Sequence, residues 1–161
     1  MSIKIIDSVL PIEEFYNLRN RMIDDIPWQL NTALIDYDPQ SSDLRCFYFA
    51  HTFLLRHLQK SIYFDIVDPI IDFLKPNVLI RIKANLYTYT ETLLEHSEHK
   101  DTPYECKNAI FYLDNSNGFT RAGNQIIESR ENRIALMPTM MHNSTNCSNS
   151  KFRMTINFNY F

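Results

Sequence analysis

The sequence predicts an α+β fold, an antiparallel sandwich or jelly roll backed by N-terminal helices. Residues spaced for one helix face are confined to the part before Pro76, and β-rich runs fill the part after it. The chain has only two glycines, and both Gly118 and Gly123 fall in turn-like stretches between those runs. At 161 residues with 45% hydrophobic content, the chain can bury one sizeable core and is short for two. Residues 1–161 are therefore read as one domain, with 1–75 as mainly helical support and 76–161 as the β core that carries the site.

Pro11 stands where a helix can begin, and Phe15, Leu18 and Met22 recur behind it on one face. A second amphipathic run over residues 47–58 is read as helical, which makes His51 and His57 helix-surface or core residues. A third covers 66–74, with Pro69 tolerated in its first turn and Pro76 ending it. Beyond it, residues 78–89, 107–114, 125–128, 133–137 and 152–160 read as strands. Asn115-Ser116-Asn117-Gly118 and Ala122-Gly123-Asn124 separate them as turns.

Charge and cysteine usage exclude several classes. Sixteen basic against nineteen acidic side chains leave a net charge of -3, so nothing advertises duplex nucleic acid or an anionic membrane as partner. The N-terminus lacks the apolar core of a signal peptide and no stretch is long enough to span a bilayer, which predicts a soluble, cytoplasmic protein. Cys46, Cys106 and Cys147 show no CxxC spacing, so reduced, partly buried thiols are expected rather than a disulfide framework or a structural zinc site.

The chemistry concentrates in His99-Lys100-Asp101, followed later by His142 and Arg153. On an extended strand His99 and Asp101 face the same way while Lys100 points elsewhere. Two imidazoles and one carboxylate suit one face of Fe(II), and a late arginine suits an acidic co-substrate. On the last run, Arg153, Thr155 and Asn157 share a polar face, while Phe152, Met154, Ile156, Phe158 and Tyr160 share an apolar one. Taken singly, each piece has a plainer reading: a solvated HxD turn, a loop histidine, a salt-bridged arginine. Their order along a β-rich chain is what lifts them. His96-Ser97-Glu98 is a rival pair, because glutamate can replace aspartate as a ligand. A zinc cluster of His96, His99, Cys106 and Cys147 matches no common spacing. Arg121 and Arg130 are read as solvated turn residues, and the aromatic side chains of the last run as core.

The blocks EHSEHKD, KNAIFYLDNSNGFT, ESRENRIALMP, HNSTNC and FRMTINFNYF, spanning about residues 85–161, together resemble the Fe(II)/2-oxoglutarate-dependent oxygenases. The resemblance is to the small prolyl-hydroxylase-like members common in bacteriophage and bacteria, which would place a phage protein in the host cytoplasm. It implies a cupin-like double-stranded β-helix, with His99, Asp101 and His142 as iron ligands and Arg153 on the distal carboxylate of 2-oxoglutarate. Thr155 completes an Arg-x-Ser/Thr pattern on that carboxylate. Tyr89 lies ten residues before His99, where prolyl hydroxylases place a co-substrate tyrosine. Asn85-Leu86-Tyr87 resembles the Asn-x-Tyr element of related demethylases, so Tyr87 and Tyr89 compete for that role. The first seventy-odd residues carry no such match.

What the resemblance implies for activity is a dioxygenase using Fe(II), 2-oxoglutarate and O2 and releasing succinate and CO2. A prolyl or other peptidyl side chain is the first substrate expectation, a nucleobase or free amino acid the next. The contrasting class is a non-catalytic jelly-roll binding or phage structural protein that kept the fold. Such a module has no need for all of His99, Asp101, His142 and Arg153. Substrate identity and oligomeric state are not written in the sequence.

Overall fold

A computed structural model describes residues 2–32 and 47–161; Cys46 lies outside the described residues. The chain begins with β1 (Lys4–Ile6) and α1 (Ile12–Asp24), then β2 (Gln29–Asn31), β3 (Tyr48–Leu55) and the short β4 (Leu58–Gln59). A 3-10 turn (Phe64–Val67) leads into α2 (Asp68–Leu74). The remainder is strands: β5 (Leu79–Thr88), β6 (Lys107–Tyr112), β7 (Phe119–Ala122), β8 (Gln125–Glu128), β9 (Arg133–Pro138), β10 (His142–Ser144) and β11 (Phe152–Tyr160).

Helix α1 forms as its spacing predicts. It starts after Pro11, carries Glu13 and Glu14 in its first turn and Arg21 in its last, and buries Phe15, Leu18 and Met22. Helix α2 stops at Lys75, which takes a left-handed conformation (φ 47°) just before Pro76. None of the helices among the described residues is long and apolar enough to cross a membrane.

Strand β3 overturns the helical reading of residues 47–58. It pairs antiparallel with β5, and the register slips between Thr52 and Leu54. That bulge lets both Phe53 and Leu54 reach the core, which breaks the alternation and mimics helical spacing. His51 is accordingly a satisfied core residue, with Nδ1 2.8 Å from the Pro27 carbonyl and Nε2 2.8 Å from Ser61 Oγ. His57 instead sits exposed in the β3–β4 turn. Residues 1–75 thus supply four strands as well as the two helices among the described residues, not mainly helical support.

The large sheet runs β1-β9-β6-β11-β5-β3-β2, with β4 beside β3, and all its pairings are antiparallel. A second sheet, β10-β7-β8, lies apart from it. The two faces of the large sheet have different work. Phe15, Leu18 and Met22 of α1 join one core with Ile82 and Ala84 of β5 and Met154, Ile156 and Phe158 of β11. Phe15 meets Phe111 edge-on at 6.1 Å. On the opposite face Ile110, Ala135 and Met137 pack with Ala122 and Ile127 of the small sheet. The alternation on β11 therefore divides core from site as its sequence predicts.

Candidate metal centre

Strands β5 and β11 build the floor of the site. Their register pairs Arg153 with Tyr87, Thr155 with Asn85, Asn157 with Lys83 and Asn159 with Arg81. These pairs share one face, opposite the apolar pairs that face α1. The same alternation was readable along β5, where Arg81 and Lys83 interleave with Ile80 and Ile82; sequence reasoning picked out only Asn85 and Tyr87. A cavity of about 1080 Å³ opens over this floor, with Asn85, Tyr87, Thr155, His99, Asp101 and His142 among its lining.

Residues between β5 and β6 are irregular, so His99-Lys100-Asp101 is not part of a long strand. It is held by an isolated antiparallel bridge, in which the His99 N–H donates to the His142 carbonyl (2.9 Å) and the His142 N–H donates to the His99 carbonyl (3.0 Å). This bridge brings the two imidazoles to 4.7 Å between ring centres. Asp101 Oδ1 lies 3.7 Å from His99 Nε2, and Asp101 Oδ2 lies 4.0 Å from His142 Nε2. The three donor atoms fall within 4.8 Å of one another. Lys100, expected to point away, is exposed on the rim of the same cavity.

His142 tests whether this cluster suits a metal. Its Nδ1 lies 3.1 Å from the Met140 carbonyl, which can only accept, so Nδ1 carries the proton and Nε2 presents a lone pair. That Nε2 is buried and has no hydrogen-bond partner. An orphaned imidazole lone pair beside a second imidazole and a carboxylate is the donor set that a divalent first-row metal takes. Asp101 is oriented from behind by Arg81 (Nη1 to Oδ1, 3.2 Å) and Asn159 (Nδ2 to Oδ2, 3.2 Å). Burial pushes its carboxyl up, but Arg81, His142 and Asn159 outweigh burial and hold it below the usual carboxylate range. Burial, then the neighbouring His142, lowers His99, which favours the neutral, ligating ring.

Arg153 is fully buried, behind the lining residues Tyr87, Thr120 and Ser144. Its Nη1 donates to Ser144 Oγ (2.6 Å) and the Thr145 carbonyl (3.1 Å), and its Nη2 to Thr120 Oγ1 (3.1 Å). Its guanidinium lies 5.6 Å from the ring centres of both Tyr87 and Tyr112, and its Nε has no partner. All of these partners are neutral. Among the described residues no carboxylate forms an ion pair with it; buried Asp114 feels its charge from a distance but accepts a short hydrogen bond from the Met154 N–H, and burial raises its pKa against the lowering pull of that N–H and of Arg153. A buried cation with no ion-pair partner among the described residues is costly, and its surroundings suit an anion.

Gly118 makes that placement of Arg153 feasible. A Cβ there would come within 2.4 Å of Arg153 Cδ and 2.5 Å of the Asn146 carbonyl oxygen. Sequence reasoning saw in this glycine only a turn; a contact across 35 positions leaves no local signal. Thr120, Ser144 and Tyr112 were missed for the same reason.

Other expectations separate cleanly. Tyr87 is buried, stacked on Tyr48 at 5.7 Å, whereas Tyr89 lies beyond the end of β5, half exposed and away from the cavity. His96 lines the cavity against Tyr87 (5.1 Å), while its partner in the rival pair, Glu98, is exposed and outside the cluster. Burial, with Arg153 and His99, pushes His96 down to about 4. Arg121 pairs with Glu95, and Arg130 lies 3.4 Å from Asp7; neither reaches the cavity. Cys106 and Cys147 are free and buried, and no zinc cluster forms around them among the described residues.

No family model matches the chain, and no curated protein matches its sequence. Solved structures match over nearly its whole length. A prolyl hydroxylase from Trichoplax adhaerens, in complex with a hypoxia-inducible-factor peptide fragment, aligns at TM-score 0.67 and 10% identity, over 99% of this chain and 83% of that one. An oxidoreductase of the 2OG-Fe(II) oxygenase family from Burkholderia pseudomallei aligns at 0.66 and 8%, over 98% and 84%. HygX from Streptomyces hygroscopicus, with nickel and 2-oxoglutarate bound, aligns at 0.61 and 10%, over 98% and 82%. The chain therefore has the double-stranded β-helix fold of the 2-oxoglutarate oxygenases, as its sequence predicts.

Proposed function

We propose that residues 1–161 form one Fe(II)- and 2-oxoglutarate-dependent dioxygenase domain that hydroxylates its substrate. The observation that carries this reading is Arg153: a buried guanidinium whose hydrogen-bond partners are all neutral, held directly behind Tyr87, Ser144 and Thr120, which line the same cavity as a histidine-aspartate-histidine cluster. A metal site alone, or a buried arginine alone, has many explanations. Their coincidence on a fold shared with 2-oxoglutarate oxygenases has few.

His99, Asp101 and His142 would hold the ion from one side, leaving its other positions to co-substrate and O2. Arg153 would receive the distal carboxylate of 2-oxoglutarate, with Thr155, Tyr87 and Asn85 beside it as further hydrogen-bonding groups. Ser144 and Thr120, whose hydroxyls accept from Arg153 here, can turn to donate to an arriving carboxylate. When bound, iron, 2-oxoglutarate and O2 supply the oxidising chemistry, with succinate and CO2 released. Arg81 and Asn159 keep the Asp101 carboxylate aimed. A prolyl or other peptidyl side chain is the first substrate to test, consistent with the peptide held by the Trichoplax adhaerens neighbour, and nucleobases and free amino acids follow.

Anaerobic addition of Fe(II) and 2-oxoglutarate tests the reading directly. A weak visible charge-transfer band should appear in wild type and vanish in His99→Ala. If wild type binds neither metal nor co-substrate, the oxygenase reading fails.

A further inference from the structure

The cavity is far larger than one small dicarboxylate fills, and its outer end carries a distinct charge pattern. Among the described residues lining it, Asp101 is the only acid, and its carboxylate is already paired with Arg81 at 3.2 Å. The basic lining residues are Arg56, Arg81, Lys83 and Lys100. Lys83 donates to the Tyr48 hydroxyl at 2.7 Å on the cavity floor. Arg56 and Lys100 are exposed at the mouth, and neither side chain has a hydrogen-bond or ion-pair partner among the described residues. On a chain of net charge -3, the exposed pair Arg56 and Lys100 at one cavity mouth, with no acid beside them among the described lining residues except the paired Asp101, is a departure from the average surface. Like charges gathered on one concave wall repel one another and focus a field that draws anions.

The backbone beneath Arg56 adds an independent observation. Arg56 and His57 form the β3–β4 turn with φ of 52° and 64°, the left-handed pair of conformations that a tight hairpin normally gives to Asn-Gly. The left-handed conformation is uncommon for an arginine and persists where the surroundings enforce it, often at ligand sites. Here His57 is the pin: its Nδ1 lies 2.7 Å from the Leu79 carbonyl and its N–H donates to the Ile80 carbonyl at 3.3 Å. The pinned turn sets Arg56 on the cavity wall, beside Leu55, whose cross-strand neighbour is Arg81.

A doubly charged co-substrate would offset Arg153 and part of the charge of a divalent ion, and Arg81 offsets Asp101. Among the described residues, Arg56 and Lys100 at the mouth are then left without a counter-charge. We infer that the primary substrate carries an oxyanion, a carboxylate or a phosphate, which docks between Arg56 and Lys100 while its reacting carbon faces the His99, Asp101 and His142 cluster. This inference rests on the oxygenase reading and narrows its substrate to acids or phosphate esters, peptide acids included.

Calorimetry on protein loaded anaerobically with Fe(II) and saturating 2-oxoglutarate tests it. Inorganic phosphate and N-acetylglycine are the anionic probes, and N-acetylglycinamide is the neutral control. Saturable binding of at least one anion, and none of the amide, is expected; the tighter anion tells phosphate from carboxylate. The double variant Arg56→Ala/Lys100→Ala should weaken the anion by about tenfold or more, as loss of charge-assisted hydrogen bonds does. Its affinity for 2-oxoglutarate should change less than about twofold, since both side chains lie at the mouth. Arg56→Glu, at an exposed position, should abolish anion binding while leaving the fold intact. The inference is overturned if neither anion binds, if the amide binds equally well, or if the double variant binds the anions as wild type does. Failure of wild type to bind 2-oxoglutarate is a separate outcome that removes the oxygenase reading; anion titration of the unloaded protein and the double variant then still decides the mouth site.

Discussion

His99 and His142 exchange both backbone hydrogen bonds across an isolated bridge that ties the irregular β5–β6 connection to the first residue of β10. This pairing fixes the spacing of the two imidazoles through the main chain, so the site does not depend on long flexible side chains. Asp101, two residues beyond His99, then completes the cluster from the same side.

Metal should stabilise the protein through that bridge. A divalent ion at one hundred times its dissociation constant adds ~2.7 kcal/mol to the folded state. Thermal unfolding with and without Co(II) should show an upward shift in wild type and none in His142→Ala. An equal shift in both would place the ion elsewhere.

Arg153→Lys keeps the charge and loses the planar fork. Co-substrate affinity should fall by about tenfold to a hundredfold, roughly 1.5 to 3 kcal/mol, the worth of charge-assisted hydrogen bonds. Arg153→Met should lose 2-oxoglutarate binding altogether, yet its stability without ligand should equal or exceed wild type, because a buried unpaired charge is removed. Denaturant unfolding and calorimetry on the same two variants check both halves. A strongly destabilised Arg153→Met would mean the guanidinium is a structural strut.

Gly118→Ala puts a methyl group against Arg153 Cδ and the Asn146 carbonyl. Arg153 must move, so 2-oxoglutarate affinity should drop about tenfold or more while metal affinity holds within about threefold, because the atoms crowded by the new methyl belong to Arg153 and Asn146 and not to the three ligands. Unchanged co-substrate binding would show that the close approach does not position the arginine.

Acid should destabilise the protein in a window set partly by His96. Burial first, then Arg153 and His99, depress its folded pKa from 6.5 to about 4, so the unfolded chain takes up a proton that the native state refuses. The contribution is fully present above pH 6.5 and is lost as pH falls towards 4, by roughly 3 kcal/mol. Replacing His96 by Gln should flatten the dependence of unfolding free energy on pH across that window. Equal slopes in wild type and variant would rule His96 out as the source.

Much of the fold was legible because it rests on local pattern. The one-face spacing of Phe15, Leu18 and Met22 produced α1, and the alternation over residues 152–160 divided core from site on β11. Strand β3 was misread because its bulge at Thr52/Leu54 places consecutive residues on one face. A pairing partner in β5 creates that bulge, and no local window contains the partner.

For the site, the sequence by itself determined which donors and cations were present and in what order: His99, Asp101, His142, Arg153, with Tyr87 and Tyr89 as alternatives. Tertiary structure decided what they face. It set His99 opposite His142, turned Tyr87 inward and Tyr89 to solvent, and sealed Arg153 among Thr120, Ser144 and Tyr112 through the gap left by Gly118. The physical reason is that alternation assigns a side chain to a face, whereas burial, orphaned lone pairs and missing counter-ions are properties of neighbours brought together from distant parts of the chain.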